Sequence, residues 1–158
     1  GSLPLTAGRQ ALGARVQLGV LDQGRSLLES DASVVDVVRA ALGPDRRTGR
    51  EQEPGEVRTL LAKFGLGPQH VGRPSRSLSM GERTRALMAV FQGREVNTVV
   101  LDEPTNHLDV VAIEQLQEAL AAFTGTLVVV SHDLELVDSL GPTHVWQVAA
   151  GQVAVEAL

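Results

Sequence analysis

Three short apolar runs in the second half of the chain, Thr98–Leu101, Thr126–Val130 and Thr143–Val148, constrain the fold more than any other feature. Each reads as a buried strand, and segments of helical period separate them. Val111–Phe123 carries Ile113, Leu116, Ala119, Leu120 and Phe123 at helical spacing, and Leu134–Leu140 is a shorter helix. Strands alternating with helices imply an α/β fold, a parallel sheet with crossover helices. The first two runs stop on polar residues, Asp102-Glu103-Pro104 and Ser131-His132-Asp133. Open parallel sheets place their ligands at such strand ends.

The first half is more helical. Arg15–Leu21 reads as a strand and Asp22-Gln23-Gly24 as the turn after it. Ser33–Leu42 has helical spacing, with Asp31 or Ser33 as N-cap and Gly43-Pro44 as stop. The polar stretch Gly43–Gly55 is expected to be a mobile surface loop, followed by a helix over Glu56–Phe64 that Gly65 ends. A stronger helix spans Met80–Phe91, with Leu87, Val90 and Phe91 on one face, and no internal repeat is present.

Composition removes whole classes of function. The 158 residues contain no cysteine, which excludes a disulfide scaffold, a zinc ribbon and a thiol nucleophile. A net charge of −5 and 3% aromatics give no footprint for non-specific nucleic-acid binding or base stacking. No apolar run reaches the roughly 18 residues of a membrane span. No basic-then-apolar leader opens the chain, so a cytoplasmic protein without a membrane segment of its own is expected.

Two readings fit each candidate site residue. Asp102 and Glu103 stand where nucleotide hydrolases keep one acid for Mg²⁺ and another for the attacking water, yet a strand followed by an acidic turn explains them equally. Ser79 and Glu82 have the spacing of a capping box, and Gly81 lets backbone N–H groups approach an anion. The capping box alone accounts for that segment. A lone histidine such as His132 is more often a structural hydrogen-bonder, Asp109 is sufficiently explained as a helix cap, and Gln23 as a turn residue.

The order of these segments decides between the readings. Leu78-Ser79-Met80-Gly81-Glu82, then Leu101–Pro104, then Asn106–Asp109, then Ser131–Asp133 resembles the ATP-binding cassette (ABC) family over roughly residues 15–148. The stretch Asp102–Asp109 (DEPTNHLD), with Arg83-Thr84-Arg85 after the first segment, is similar to the ABC-F branch of soluble tandem cassettes that act on the ribosome in translation or antibiotic resistance. The resemblance implies a partial P-loop NTPase of ABC type, a parallel sheet with a helical subdomain. Residues 1–24 would then be the end of the core up to the Q-loop, 25–93 the helical subdomain, and 94–158 the core sheet.

The same resemblance implies ATP and Mg²⁺ as cofactors and a second cassette, closed head to tail, as partner. Asp102 becomes the Walker B magnesium acid, with Gln23 of the Q-loop beside the metal and the nucleotide. Glu103 becomes the catalytic base, His132 the switch histidine and Asp109 the D-loop acid. Ser79, Gly81 and Glu82 belong to the signature loop, which binds the γ-phosphate held by the opposite cassette. Met80 departs from the glycine usual at its position and places a side chain beside that loop. Two rivals stand beside this reading. One is the nucleotide-binding subunit of a membrane transporter, disfavoured by Asn106-His107-Leu108-Asp109, where transporters more often carry Ser-Ala-Leu-Asp. The other is a non-enzymatic, degenerate cassette used only for binding.

A working cassette also needs a Walker A loop, G-x-x-x-x-G-K-[ST]. The one lysine, Lys63, lies in a helix with no glycine loop before it, and in Gly43–Arg50 the glycines are one residue too far apart, with Arg in place of Lys. The chain therefore reads as the C-terminal two-thirds of a cassette, inactive alone. Losing three charge-assisted hydrogen bonds at ~1.5–3 kcal/mol each removes roughly three to six decades of affinity. It also reads as exposing an apolar sheet edge near Thr126–Val130, open to self-association.

Overall fold

The computed structural model describes residues 6–9, 11–21, 26–106 and 108–158. Gln23 and the turn around it lie outside these residues.

β1 (Leu18–Leu21), β2 (Thr98–Asp102) and β3 (Thr126–Val130) form an all-parallel sheet in the order β1-β2-β3. The expected α/β fold is present. β1 begins three residues later than the sequence pattern suggests. Its approach is instead fixed by Asn97, whose Oδ1 accepts the Gln17 N–H at 2.9 Å while its amide donates to the Arg15 carbonyl at 2.7 Å. Gly19 keeps β1 close to its support, since a Cβ there would stand 3.0 Å from both Phe91 and Val96. Val99 and Leu101 of β2 are fully buried, as a central parallel strand requires.

The helices follow the apolar pattern closely. α1 (Val34–Leu42) is capped by Ser33, whose Oγ accepts the Asp36 N–H at 3.2 Å, so Ser33 rather than Asp31 is the cap. Its four buried valines stabilise the fold by ~1.5–3 kcal/mol each. α2 (Pro54–Lys63) starts two residues earlier than the pattern places it, because Glu53 and Glu56 form a reciprocal capping box and Pro54 suits the first turn. The loop before it is not bare: Asp45 Oδ1 accepts the N–H groups of Arg47 and Thr48, and Arg50 bonds Glu56 at 2.5 Å. A four-residue helix α3 (Pro68–Val71) follows, then α4 (Met80–Gly93), α5 (Val110–Ala121) and α6 (Leu134–Ser139).

α4 joins the two halves of the core. Ala86–Phe91 are all buried and belong to one continuous apolar cluster, with Val34, Val38, Val57 and Leu61 from α1 and α2. Val99, Leu101, Leu116, Leu120 and Leu136 from the sheet and its helices complete the same cluster.

One expectation fails. The run Thr143–Val148 is not a third strand of the parallel sheet after β2 and β3. Its residues form β4 (His144–Ala149), which pairs antiparallel with β5 (Gln152–Ala157) in a separate two-stranded sheet. The cause lies in the turn: Ala150 and Gly151 both have positive φ, 48° and 74°, the geometry of a tight two-residue hairpin. Trp146 pairs with Val155 and Val148 with Val153 across the ladder, and all four side chains are exposed.

Candidate active site at the strand ends

Register brings the central pair together. Asp102 of β2 stands opposite Val130 of β3, and the Glu103 N–H extends the ladder by donating to the Val130 carbonyl at 2.8 Å. Two residues beyond Val130, His132 reaches back, and its Nδ1 lies 2.7 Å from Glu103 Oε2. Glu103 is half-buried and the imidazole stands in solvent. Glu103 adopts φ 45°, a left-handed conformation uncommon for a side-chain-bearing residue. Asp102, at the end of β2, is exposed. The site thus presents two adjacent carboxylates and one imidazole at the carboxyl ends of parallel strands. Chemically it offers oxygen ligands to a hard cation and a carboxylate able to orient or deprotonate water.

The neighbouring loops are held by caps. Asp109 Oδ1 accepts the Ala112 N–H at 2.8 Å and so starts α5. Asp133 caps α6 through the Leu136 N–H at 3.1 Å, and Ser131 Oγ accepts the Asp133 N–H at 3.0 Å. These bonds fix where the segments flanking Glu103 and His132 leave the sheet.

Ser79, Gly81 and Glu82 form a second group. The capping box is complete: Ser79 Oγ accepts the Glu82 N–H at 3.2 Å, and Glu82 Oε2 accepts the Ser79 N–H at 2.7 Å. Gly81 is buried against α5, where a Cβ would come within 2.5 Å of Gln115 Oε1 and 3.4 Å of the Ala112 methyl. The tip of α4 therefore rests on the start of α5, just past Asp109. Sequence reasoning missed two residues here. His70 Nε2 lies 3.1 Å from Glu82 Oε1, and an Arg73 amino group lies 3.7 Å from Glu82 Oε2. No periodicity links positions so far apart across a loop, so only the folded chain shows them.

The arginines on either side of the first motif are engaged internally. Arg83 donates to the carbonyls of Leu78 and Arg76, Arg85 to those of Phe64 and Gly65, and Arg76 pairs with Asp31 at 2.7 Å.

A parallel sheet flanked by helices, with two acids and a histidine at its strand ends, is an α/β domain with its polar groups where such sheets place their ligands. A family profile described as "AAA domain, putative AbiEii toxin, Type IV TA system" matches residues 20–138. The chain belongs to this family as an AAA-type ABC ATPase domain, and its relatives are ABC-F-type ATP-binding proteins. It is 35% identical over 139 residues to the ATP-binding protein Uup of Escherichia coli, covering 88% of this chain and 21% of that protein. Against Uup of Caulobacter vibrioides it is 36% identical over 140 residues, covering 89% and 23%. The chain thus spans about a fifth of the length of these relatives. Among solved structures, the dimeric cassette MJ0796 superposes with a TM-score of 0.69 at 20% identity, over 90% of this chain and 63% of that one. CbiO1 of Clostridium perfringens gives 0.66 at 22%, over 89% and 56%. These likenesses show the cassette fold.

Proposed function

We propose that this chain supplies the hydrolytic half of an ATP site in an ABC-F-type tandem-cassette protein that acts on the ribosome. The observation that carries the reading is the 2.7 Å contact between Glu103 and His132 at the ends of adjacent parallel strands. Glu103 takes the proton of the attacking water, and His132 holds that carboxylate in place and faces the γ-phosphate. On a turn braced by Glu82, which takes the Ser79 N–H, Ser79 offers its hydroxyl and Gly81 its backbone N–H to the γ-phosphate of the nucleotide held by a second cassette. Asp109 anchors the D-loop between the two groups.

Mg²⁺ fits the donors present. Among the described residues no cluster of three metal-ligating side chains gathers, so an ion here would rest on one or two carboxylates completed by phosphate and water. That is the coordination Mg²⁺ accepts. Asp102 would hold it, with Gln23 as the second protein ligand, and the ion would neutralise charge on the phosphates. In this reading residues 25–93 act as the helical subdomain and 94–158 as the core, with 1–24 leading into the Q-loop.

No G-x-x-x-x-G-K-[ST] loop occurs in the 158 residues, so the chain alone is expected to hydrolyse no ATP. Ribosome action rests on kinship with ABC-F proteins. The arginines beside the signature turn contact carbonyls and carboxylates of this chain, while Arg73 and Arg76 keep exposed side chains. Among the described residues no helix is long and apolar enough to cross a membrane. β3 pairs only with β2 among those residues, and Val130 is 54% exposed, which supports self-association of the isolated chain. A monodisperse monomer in light scattering would refute that part.

The decisive experiment is Glu103→Gln in the full-length protein. ATP binding should persist while turnover collapses and the closed, two-cassette state accumulates. Undiminished turnover would remove Glu103 from the role of base.

A further inference from the structure

We propose that His70 is a positioning residue for the signature turn, acting through Glu82. The inference rests on the proposed role of Ser79 and Gly81 in receiving a γ-phosphate. Glu82 holds the turn through Oε2, which accepts the Ser79 N–H at 2.7 Å. A carboxylate tied at one oxygen still swings, because the last torsion of a glutamate side chain is broad. His70 removes that freedom. Its Nε2 lies 3.1 Å from Oε1, with the imidazole 12% and the Glu82 side chain 17% exposed. With Nε2–H donating, both oxygens are pinned and the carboxylate plane is fixed in a place water reaches poorly.

The support behind His70 is itself anchored. The His70 N–H donates to the Gly67 carbonyl at 2.9 Å, and the Arg73 N–H to the His70 carbonyl at 3.1 Å. Next to it Val71 is buried in the core, and the Arg73 carbonyl accepts the Val34 N–H at 3.0 Å, tying the segment to the first turn of α1. The imidazole Nδ1 is buried and has no hydrogen-bond partner among the described residues. Glu82 is thus the only polar tie of the ring there. A buried imidazole with one nitrogen unsatisfied is a poor choice for filling space, and a good one where a rigid donor must reach one carboxylate oxygen. Arg73, 3.7 Å from Oε2, adds charge from the exposed side but leaves Oε1 to His70.

The test reads the turn directly, without nucleotide, so its outcome is independent of the Glu103→Gln experiment. Amide hydrogen exchange of Ser79 and Glu82 is measured in the intact protein, with the buried α5 amide of Leu116 as the control for global folding. In His70→Ala, Ser79 and Glu82 should exchange about tenfold faster while Leu116 is unchanged. In His70→Gln, whose carboxamide N–H can still reach Oε1, most of that protection should return. Unchanged exchange in His70→Ala, or no recovery in His70→Gln, would overturn the proposal. If His70→Ala unfolds as judged by Leu116, the comparison of His70→Gln with the parent decides: near-parent protection supports positioning, and loss at Ser79 alone refutes it.

Discussion

The left-handed backbone at Glu103 makes a prediction with an unusual sign. At an ordinary right-handed or extended position, glycine is worse than alanine by about 0.5–1 kcal/mol. With φ at 45°, Glu103 sits where a Cβ raises the energy by roughly 1–2 kcal/mol. Glu103→Gly relieves that strain, while the freer unfolded chain takes back about 0.4–1 kcal/mol. The contact with His132 is lost equally in Glu103→Gly and Glu103→Ala, so it cancels. The ladder bond from the Glu103 N–H to Val130 is backbone and survives in both. The glycine variant should therefore equal or exceed the alanine variant by roughly 0–1.6 kcal/mol. Urea unfolding of the two variants, read by circular dichroism with matched slopes, measures the difference. An alanine variant more stable than the glycine variant by about 0.5 kcal/mol or more would show that the strand end is not held in this conformation.

Three further outcomes follow from the geometry. Leu116→Ala empties a fully buried position between α5 and the core and should cost about 2–5 kcal/mol in the same urea assay. Asp109→Ala removes the cap on the Ala112 N–H and should cost about 0.5–2 kcal/mol, with exchange rising first at Ala112. In the loop before α2, hydrogen bonds from the Thr48 backbone and hydroxyl and the Arg47 backbone hold the Asp45 carboxyl below its ordinary range. The Glu53 N–H and then Arg50 do the same for Glu56. Depressed carboxylates stabilise the loop fully above the usual carboxylate range and lose that contribution as pH falls through their lowered values. Amide protection at Thr48 should hold through neutral pH and drop only in acid; a drop on raising pH would contradict the assignment.

Local signals in the sequence account for much of the architecture. The strand with its acidic end, the strand leading to His132 and the α4 capping box each sit within a few consecutive residues, where periodicity and cap spacing are read directly. The motif order brings Glu103 and His132 into one site, but their direct contact was not legible in the sequence, because strand register rather than any local pattern creates it. The hairpin is hidden in the sequence for a physical reason: a helix followed by a strand resembles a crossover, and the Ala150-Gly151 turn that reverses the chain lacks the Asn-Gly or Asp-Gly signal of such loops. His70 escaped notice because it meets Glu82 only after α3 folds back on α4. In the loop before α2 the bonds join polar residues, Asp45 to Arg47 and Thr48 within it and Arg46 to Gln17 beyond it, and no apolar period signals them.

The margin of β3 that faces away from β2 also has a direction. Its backbone runs toward Ser131 and His132, and among the described residues no strand pairs with it along that path. Another extended segment laid there in the same sense as its neighbours would finish beside the imidazole, level with Glu103. Widening the sheet and walling in the carboxylate–imidazole pair would then be a single event, and the arrival of such a guest strand should be legible as a change in the surroundings of His132.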